Sequence, residues 1–129
     1  MADPARALRS ARRRDRETAG RRAETVAMLY LRCKGYRIEG RRVRTPAGEI
    51  DIVARRGAML IFVEVKARVA HAAALEAVTP RQQRRIERAA AWYAARRSRL
   101  AAPTMRFDVV VIRPWRLPSH LRDAWRPPG

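Results

Sequence analysis

The chain of 129 residues has one cysteine, Cys33, and only two lysines, Lys34 and Lys66. A single cysteine cannot close an intramolecular disulfide and offers no Cys-based zinc framework. No apolar run approaches the roughly 18 to 20 residues that a bilayer crossing requires. The N-terminus lacks the apolar core of a secretory signal, and Asp3, Asp15 and Glu17 argue against an organelle transit peptide. A cytoplasmic protein without membrane contact is therefore expected. Acids are scarce as well: 12 Asp and Glu stand against 30 Lys and Arg, a formal net charge of +18 with a pI near 11.8. Such an excess repels itself in a compact state unless a polyanion neutralises it, so nucleic acid is the leading partner. High-GC codon usage explains arginine standing in for lysine. It does not explain so few acids.

What is present fits one domain, with 47% hydrophobic residues. Residues 1–15 (MADPARALRSARRRD) have too little apolar periodicity to pack and read as a flexible basic arm, with Arg12, Arg13 and Arg14 as phosphate contacts. From Arg16 to Lys34 the pattern turns helical: Ala19, Ala23, Val26, Ala27, Tyr30 and Leu31 form a stripe, and Gly35 stops it. Tyr36 and Ile38 open a first strand towards Val43, and Thr45-Pro46-Ala47-Gly48 is a turn. Residues 49–54 and 59–66 flank Arg55-Arg56-Gly57-Ala58 as a hairpin. Residues 67–78 have no clear period and suit a loop or short helix. Thr79, Pro80 and Gln82 make a capping box for a helix to about Arg99, with Ile86, Ala89, Ala90 and Tyr93 as its buried stripe. Arg81, Arg84 and Arg85 crowd its exposed side.

Phe107–Ile112 is a continuous apolar run, expected as a strand covered on both faces. Strand, helix, strand implies a right-handed crossover and a parallel pair beside the hairpin. From Arg113 the chain is Pro-rich and expected to run irregularly, with Trp115 and Trp125 expected to cover the core in preference to stacking on nucleobases. Asp108 is expected to pair with an arginine in its buried strand. His71 and His120 lack metal-ligand spacing and read as loop residues. The fold class expected is α/β, a mixed central sheet flanked by helices.

Strand alternation sets Glu49 and Asp51 on one face, with Ile50 and Ile52 on the other, and sets Glu64 and Lys66 together on the next strand. If Arg56-Gly57 forms a two-residue turn, Glu49 lies opposite Glu64 and Asp51 opposite Phe62. Asp51 and Glu64 are then diagonal neighbours about 7 to 8 Å apart. A turn one residue longer reverses that parity. Three carboxylates on one face repel each other unless a hard divalent cation, Mg²⁺ or Mn²⁺, neutralises them. Such a cation activates water for attack on a phosphodiester, and Lys66 stands where an ammonium would stabilise the developing charge. Glu-x-Lys alone is common as a solvated ion-pairing face. A lysine at this one position in an arginine-dominated chain is the more specific signal.

Gly48-Glu49-Ile50-Asp51-Ile52-Val53 followed by Phe62-Val63-Glu64-Val65-Lys66-Ala67-Arg68 resembles the signature of the YraN family of small bacterial proteins. That family is similar to archaeal Holliday junction resolvases within the restriction-endonuclease-like fold. Glu24, Gly35-Tyr36, Arg106-Phe107-Asp108 and His120-Leu121-Arg122-Asp123-Ala124-Trp125 extend the resemblance over about residues 16–125. It implies that Glu24, Asp51 and Glu64 bind metal and that Lys66 assists catalysis. Two departures are visible. Ile50 stands where a proline often precedes the Asp, and Gln82-Gln83 stands at a basic or Gln position. Arg68 is a further phosphate contact, and Glu49 and Gln82 are additional site candidates.

Two readings remain open at this point. One is a metal-dependent endonuclease acting on DNA, branched or flapped by preference. The other is a basic nucleic-acid-binding protein that keeps the fold without turnover. A metal-free assembly protein is a distant third, and a homodimer is the protein assembly compatible with either main reading.

Overall fold

Residues 3–67, 78–97 and 104–128 are described by a computed structural model of the chain. Asp3-Pro4 starts a helix: the Asp3 carboxylate accepts the Ala5 N–H at 3.1 Å, and Pro4 takes a position where a missing N–H costs nothing. Helix α1 then runs Pro4–Cys33. Residues 4–15 are therefore helical, which moves the helix start forward from the expected Arg16. The Asp-Pro cap and a run of Ala and Arg, both good helix formers, account for it without any apolar stripe. The helix stops at Gly35, whose φ of 93° suits glycine. Gly35 N–H bonds the Arg32 carbonyl and Tyr36 N–H the Leu31 carbonyl, both at 3.0 Å, and Leu31 and Tyr36 pack in the same cluster.

Five strands follow: β1 Arg37–Thr45, β2 Gly48–Arg56, β3 Met59–Ala67, β4 Thr104–Ile112 and β5 Ser119–Trp125. They lie in the order β1-β2-β3-β4-β5, with β3 and β4 parallel and every other pair antiparallel. The second helix, α2, spans Pro80–Arg97 between the parallel strands. The mixed sheet is thus flanked by a helix on each face, as expected. Ile86, Ala89, Ala90 and Tyr93 of α2 pack on Phe62, Phe107, Val109 and Val111. Ala27 and Leu31 of α1 pack on Ile52, Ala54, Ile61, Val63 and Val110 on the other face. The apolar run of β4 is covered on both sides because each helix claims alternate residues.

The C-terminal stretch was expected to be irregular throughout, and β5 corrects that. Trp125 stacks on Phe107 with ring centroids 5.2 Å apart and donates to Glu87, so it covers the core as expected. Beneath β5 lies a buried ionic cluster. Arg106 binds both Asp108 oxygens, at 2.8 and 2.7 Å, and Asp123 N–H adds a bond at 3.0 Å. Nε2 of His120 reaches the same carboxylate at 2.7 Å, while Nδ1 meets Lys34 Nζ at 2.7 Å. An ammonium only donates, so in the contact with Lys34 the imidazole Nδ1 is the acceptor. Asp108 has its arginine partner. His120 belongs to a strand, not a loop, and its side chain is buried.

Candidate active site

The β2–β3 turn falls on Gly57-Ala58, with Gly57 at φ 60°, because Arg56 pairs with Met59. It sits one residue later than the expected Arg56-Gly57. The register slides by two, and Ile52 faces Val63, not Ile61. A slide of two keeps every side chain on its face. The paired ladder stops at Ile52–Val63, one residue short of Asp51 and Glu64, whose carboxyl groups nonetheless interact directly. Glu49 is not opposite Glu64.

The ladder between β2 and β3 ends at Ile52, while β2 stays paired with β1 as far as Gly48. Over this divergence β2 changes face: Ile50 packs in the α2 core and Ile52 in the α1 core, although they are two residues apart. The expectation that Ile50 and Ile52 share a face is therefore corrected. Asp51 lies at the split. Its Oδ2 accepts the Val65 N–H at 2.8 Å, so a carboxylate takes the place of the backbone acceptor that the departing strand no longer supplies.

Burial, and then the charge of Glu64, push the Asp51 carboxyl up to about 7. Glu64 is itself only 7% exposed. Lys66 Nζ lies 3.3 Å from Glu64 Oε1, and both side chains are largely buried. Asp51, Glu64 and Lys66 thus form one cluster. Glu24 projects from α1 nearby, and its charge also bears on Asp51. Its Oε2, however, is 2.6 Å from Nε of Arg42. Arg42, at a left-handed φ of 48°, also feels the charges of Glu49 and Asp51. Sequence reasoning missed Arg42, since nothing in an arginine-rich strand distinguishes one arginine from the next.

Among the described residues no three Asp, Glu, His or Cys side chains converge as a metal-holding group. The Asp51–Glu64 pair nevertheless fits a hard divalent cation by its chemistry: two interacting carboxyl groups, Glu64 buried and Asp51 half-buried, that supply oxygen donors. Lys66 neutralises one of them, and Arg42 already engages Glu24. Glu49 is exposed. Gln82 serves the helix cap, its Oε1 accepting Thr79 N–H at 3.1 Å while Thr79 Oγ1 accepts Gln82 N–H at 3.2 Å.

The basic candidates fall into two groups. Arg12, Arg13 and Arg14 are carried on the N-terminal half of α1, where no described residue before Ala23 is buried, and Arg13 pairs with Glu17 at 3.3 Å. Arg81 and Arg84 are exposed at the start of α2. Arg85 lies over Gly48, where an added Cβ would meet its Cδ at 3.0 Å. That brings it to the β1–β2 turn beside Glu49. Arg68 and His71 lie outside the described residues. No helix among the described residues is long and apolar enough to cross a membrane.

Known proteins extend this picture. The UPF0102 protein of Parvibaculum lavamentivorans is 61% identical over 108 residues, covering 84% of this chain and 81% of its own. The UPF0102 protein of Paramagnetospirillum magneticum is 50% identical over 129 residues, covering 97% and 96%. That of Maricaulis maris is 52% identical over 115 residues, covering 89% and 91%. A family model matches residues 23–112, the stretch that holds Glu24, Asp51, Glu64 and Lys66, and the chain belongs to the uncharacterised protein family UPF0102.

Proposed function

We propose that the chain is a Mg²⁺- or Mn²⁺-dependent endonuclease that hydrolyses phosphodiester bonds in DNA, with a kinship to Holliday junction resolvases. One observation carries this reading. Asp51 and Glu64 interact through both charge and a side-chain hydrogen bond where β2 leaves β3, with Lys66 3.3 Å from Glu64. A buried and a half-buried carboxyl group beside one lysine are costly as pure structure and useful as a cation and phosphate site.

A divalent cation, when bound, supplies charge neutralisation and activation of a water nucleophile. Asp51 and Glu64 would hold it, and the Val65 N–H fixes the Asp51 carboxylate in place. Lys66 directs its ammonium at the negative charge that builds on the phosphate as water adds to phosphorus. The bond to the leaving sugar oxygen breaks, and that oxygen gains a proton. The net charge of +18 draws the polyanion to the surface.

A second reading has its own support: Arg42 holds Glu24 at 2.6 Å, as in a nucleic-acid-binding protein that needs no metal. Labelled linear, flapped and four-way DNA, incubated with Mg²⁺, Mn²⁺ or EDTA, separates the two. The nuclease reading expects metal-dependent cleavage that Asp51→Asn and Glu64→Gln abolish while binding persists. Binding without cleavage in either metal leaves the second reading standing.

A further inference from the structure

Between β4 and β5 the chain reads Arg113-Pro114-Trp115-Arg116-Leu117-Pro118, and neither core includes a residue of this segment. Trp115 is 102% exposed and Leu117 84% exposed. The expectation that Trp115 covers the core, as Trp125 does, is overturned. Its backbone is equally unfavourable, because a φ of 59° belongs to the left-handed region that bulky residues avoid. An indole left in water on a disfavoured backbone adds nothing to folding. Its use lies in what it meets outside the chain.

The topology says where that is. Lys66 pairs with Val111 and Ala67 with Ile112 in the parallel ladder. The chain therefore leaves β4 at the sheet end that carries Glu64 and Lys66. Trp115 follows Ile112 by three residues, which at about 3.6 Å each, plus about 4.8 Å between strands, keeps it within on the order of 15 Å of Ala67. Arg113 and Arg116 flank it, no acid lies within residues 113–118, and Nε of Arg113 is buried without an acceptor.

We propose that Trp115 is a stacking platform for an unpaired nucleobase of the strand whose backbone reaches the Asp51–Glu64 site. This rests on the nucleic-acid reading of that site and names its substrate class: DNA with a single-stranded segment beside the bond to be cut. An aromatic plane accepts any base, whereas a base inside a duplex already has its stacking partners. The local surplus of arginine favours a polyanion over a protein surface.

The test is equilibrium binding of the full chain, in EDTA so that nothing is cut, to a blunt duplex, the same duplex with a single-stranded flap, and an oligo-dT. Trp115→Ala is expected to weaken flap and oligo-dT binding by about 5- to 100-fold while leaving the blunt duplex within about twofold. Trp115→Phe keeps a ring and restores most of the loss. Flap DNA should also quench the tryptophan emission of the wild type and not that of Trp115→Phe. Equal weakening on all three DNAs, or none, overturns the proposal. So does a change in the sedimentation of the free protein with Trp115→Ala, which would make the segment a contact between protein copies. Cleavage assays in Mg²⁺ are read apart from this. A protein that never cuts yet shows the flap-selective loss keeps the platform and loses the nuclease reading.

Discussion

Replacing Asp51 by Asn keeps the shape of the side chain, the oxygen that accepts Val65 N–H and a neighbour for Glu64, and removes only the charge. The folded chain holds the Asp51 proton up to about pH 7, because of burial first and the Glu64 charge second, whereas the ordinary value is 3.8. Below about pH 4 both folded and unfolded chains are protonated, and wild type and variant should be equally stable. Between about 4 and 7 the folded state keeps a proton that the unfolded state has released, so wild-type stability falls as pH rises. The full interval corresponds to roughly 4 kcal/mol, and relaxation of two neighbouring carboxylates reduces that to on the order of 2. Asp51→Asn should therefore melt about 6 to 10 °C above wild type at pH 8 and level with it near pH 4.5, at about 3 to 5 °C per kcal/mol for a domain of this size. The measurement is a series of thermal melts from pH 4.5 to 8.5 in EDTA, repeated with millimolar Mg²⁺. The metal should raise the wild-type melt at pH 8 and leave the variant's unchanged. Parallel pH profiles for the two proteins, or a variant less stable at pH 8, would refute the reasoning.

Lys66→Arg should melt normally and lose about 10²- to 10⁴-fold in single-turnover cleavage, since a planar guanidinium cannot occupy the position of a compact ammonium; unchanged rates would make Lys66 a structural ion pair. Burial alone would raise the Asp108 carboxyl, but bonds from His120, Arg106 and Asp123 N–H outweigh it and hold the carboxyl below its ordinary value. Its contribution to stability is present above the unfolded pKa and lost as pH falls, and Asp108→Asn should cost about 3 to 5 kcal/mol in urea melts at pH 7 by leaving the half-buried Arg106 without its counter-charge. Arg12, Arg13 and Arg14 changed together to Ala should lower the slope of log affinity against log salt by up to about 3 on duplex DNA, with an unchanged melt because all three are exposed.

Much of this fold was legible in the sequence because its signals are local. Alternation marked β2 and β3, the capping box at Thr79 marked α2, and the all-apolar run of β4 announced two covering layers. Glu64 and Lys66 were legible through the same alternation, which a turn misplaced by one residue left intact in β3. The rest depends on tertiary events. That Ile50 and Ile52 bury on opposite faces follows from β2 parting from β3, which no pattern within β2 encodes. β5 was hidden by flanking prolines and by its irregular pairing around Asp123, at φ 54°. Trp115 and Trp125 look alike in sequence, and only the strand that Trp125 joins separates the partly buried one from the exposed one.

The Arg42–Glu24 contact makes the site a competition between cations. A guanidinium tethered 2.6 Å from a carboxylate is present at a high effective concentration, of millimolar order or above. Any divalent ion that recruits Glu24 must outcompete that tether, so its apparent affinity is weakened by the fraction of time Arg42 is docked. The displaced guanidinium does not vanish. Released from Glu24, it would be free to meet another anion, which on a bound polynucleotide would be a phosphate.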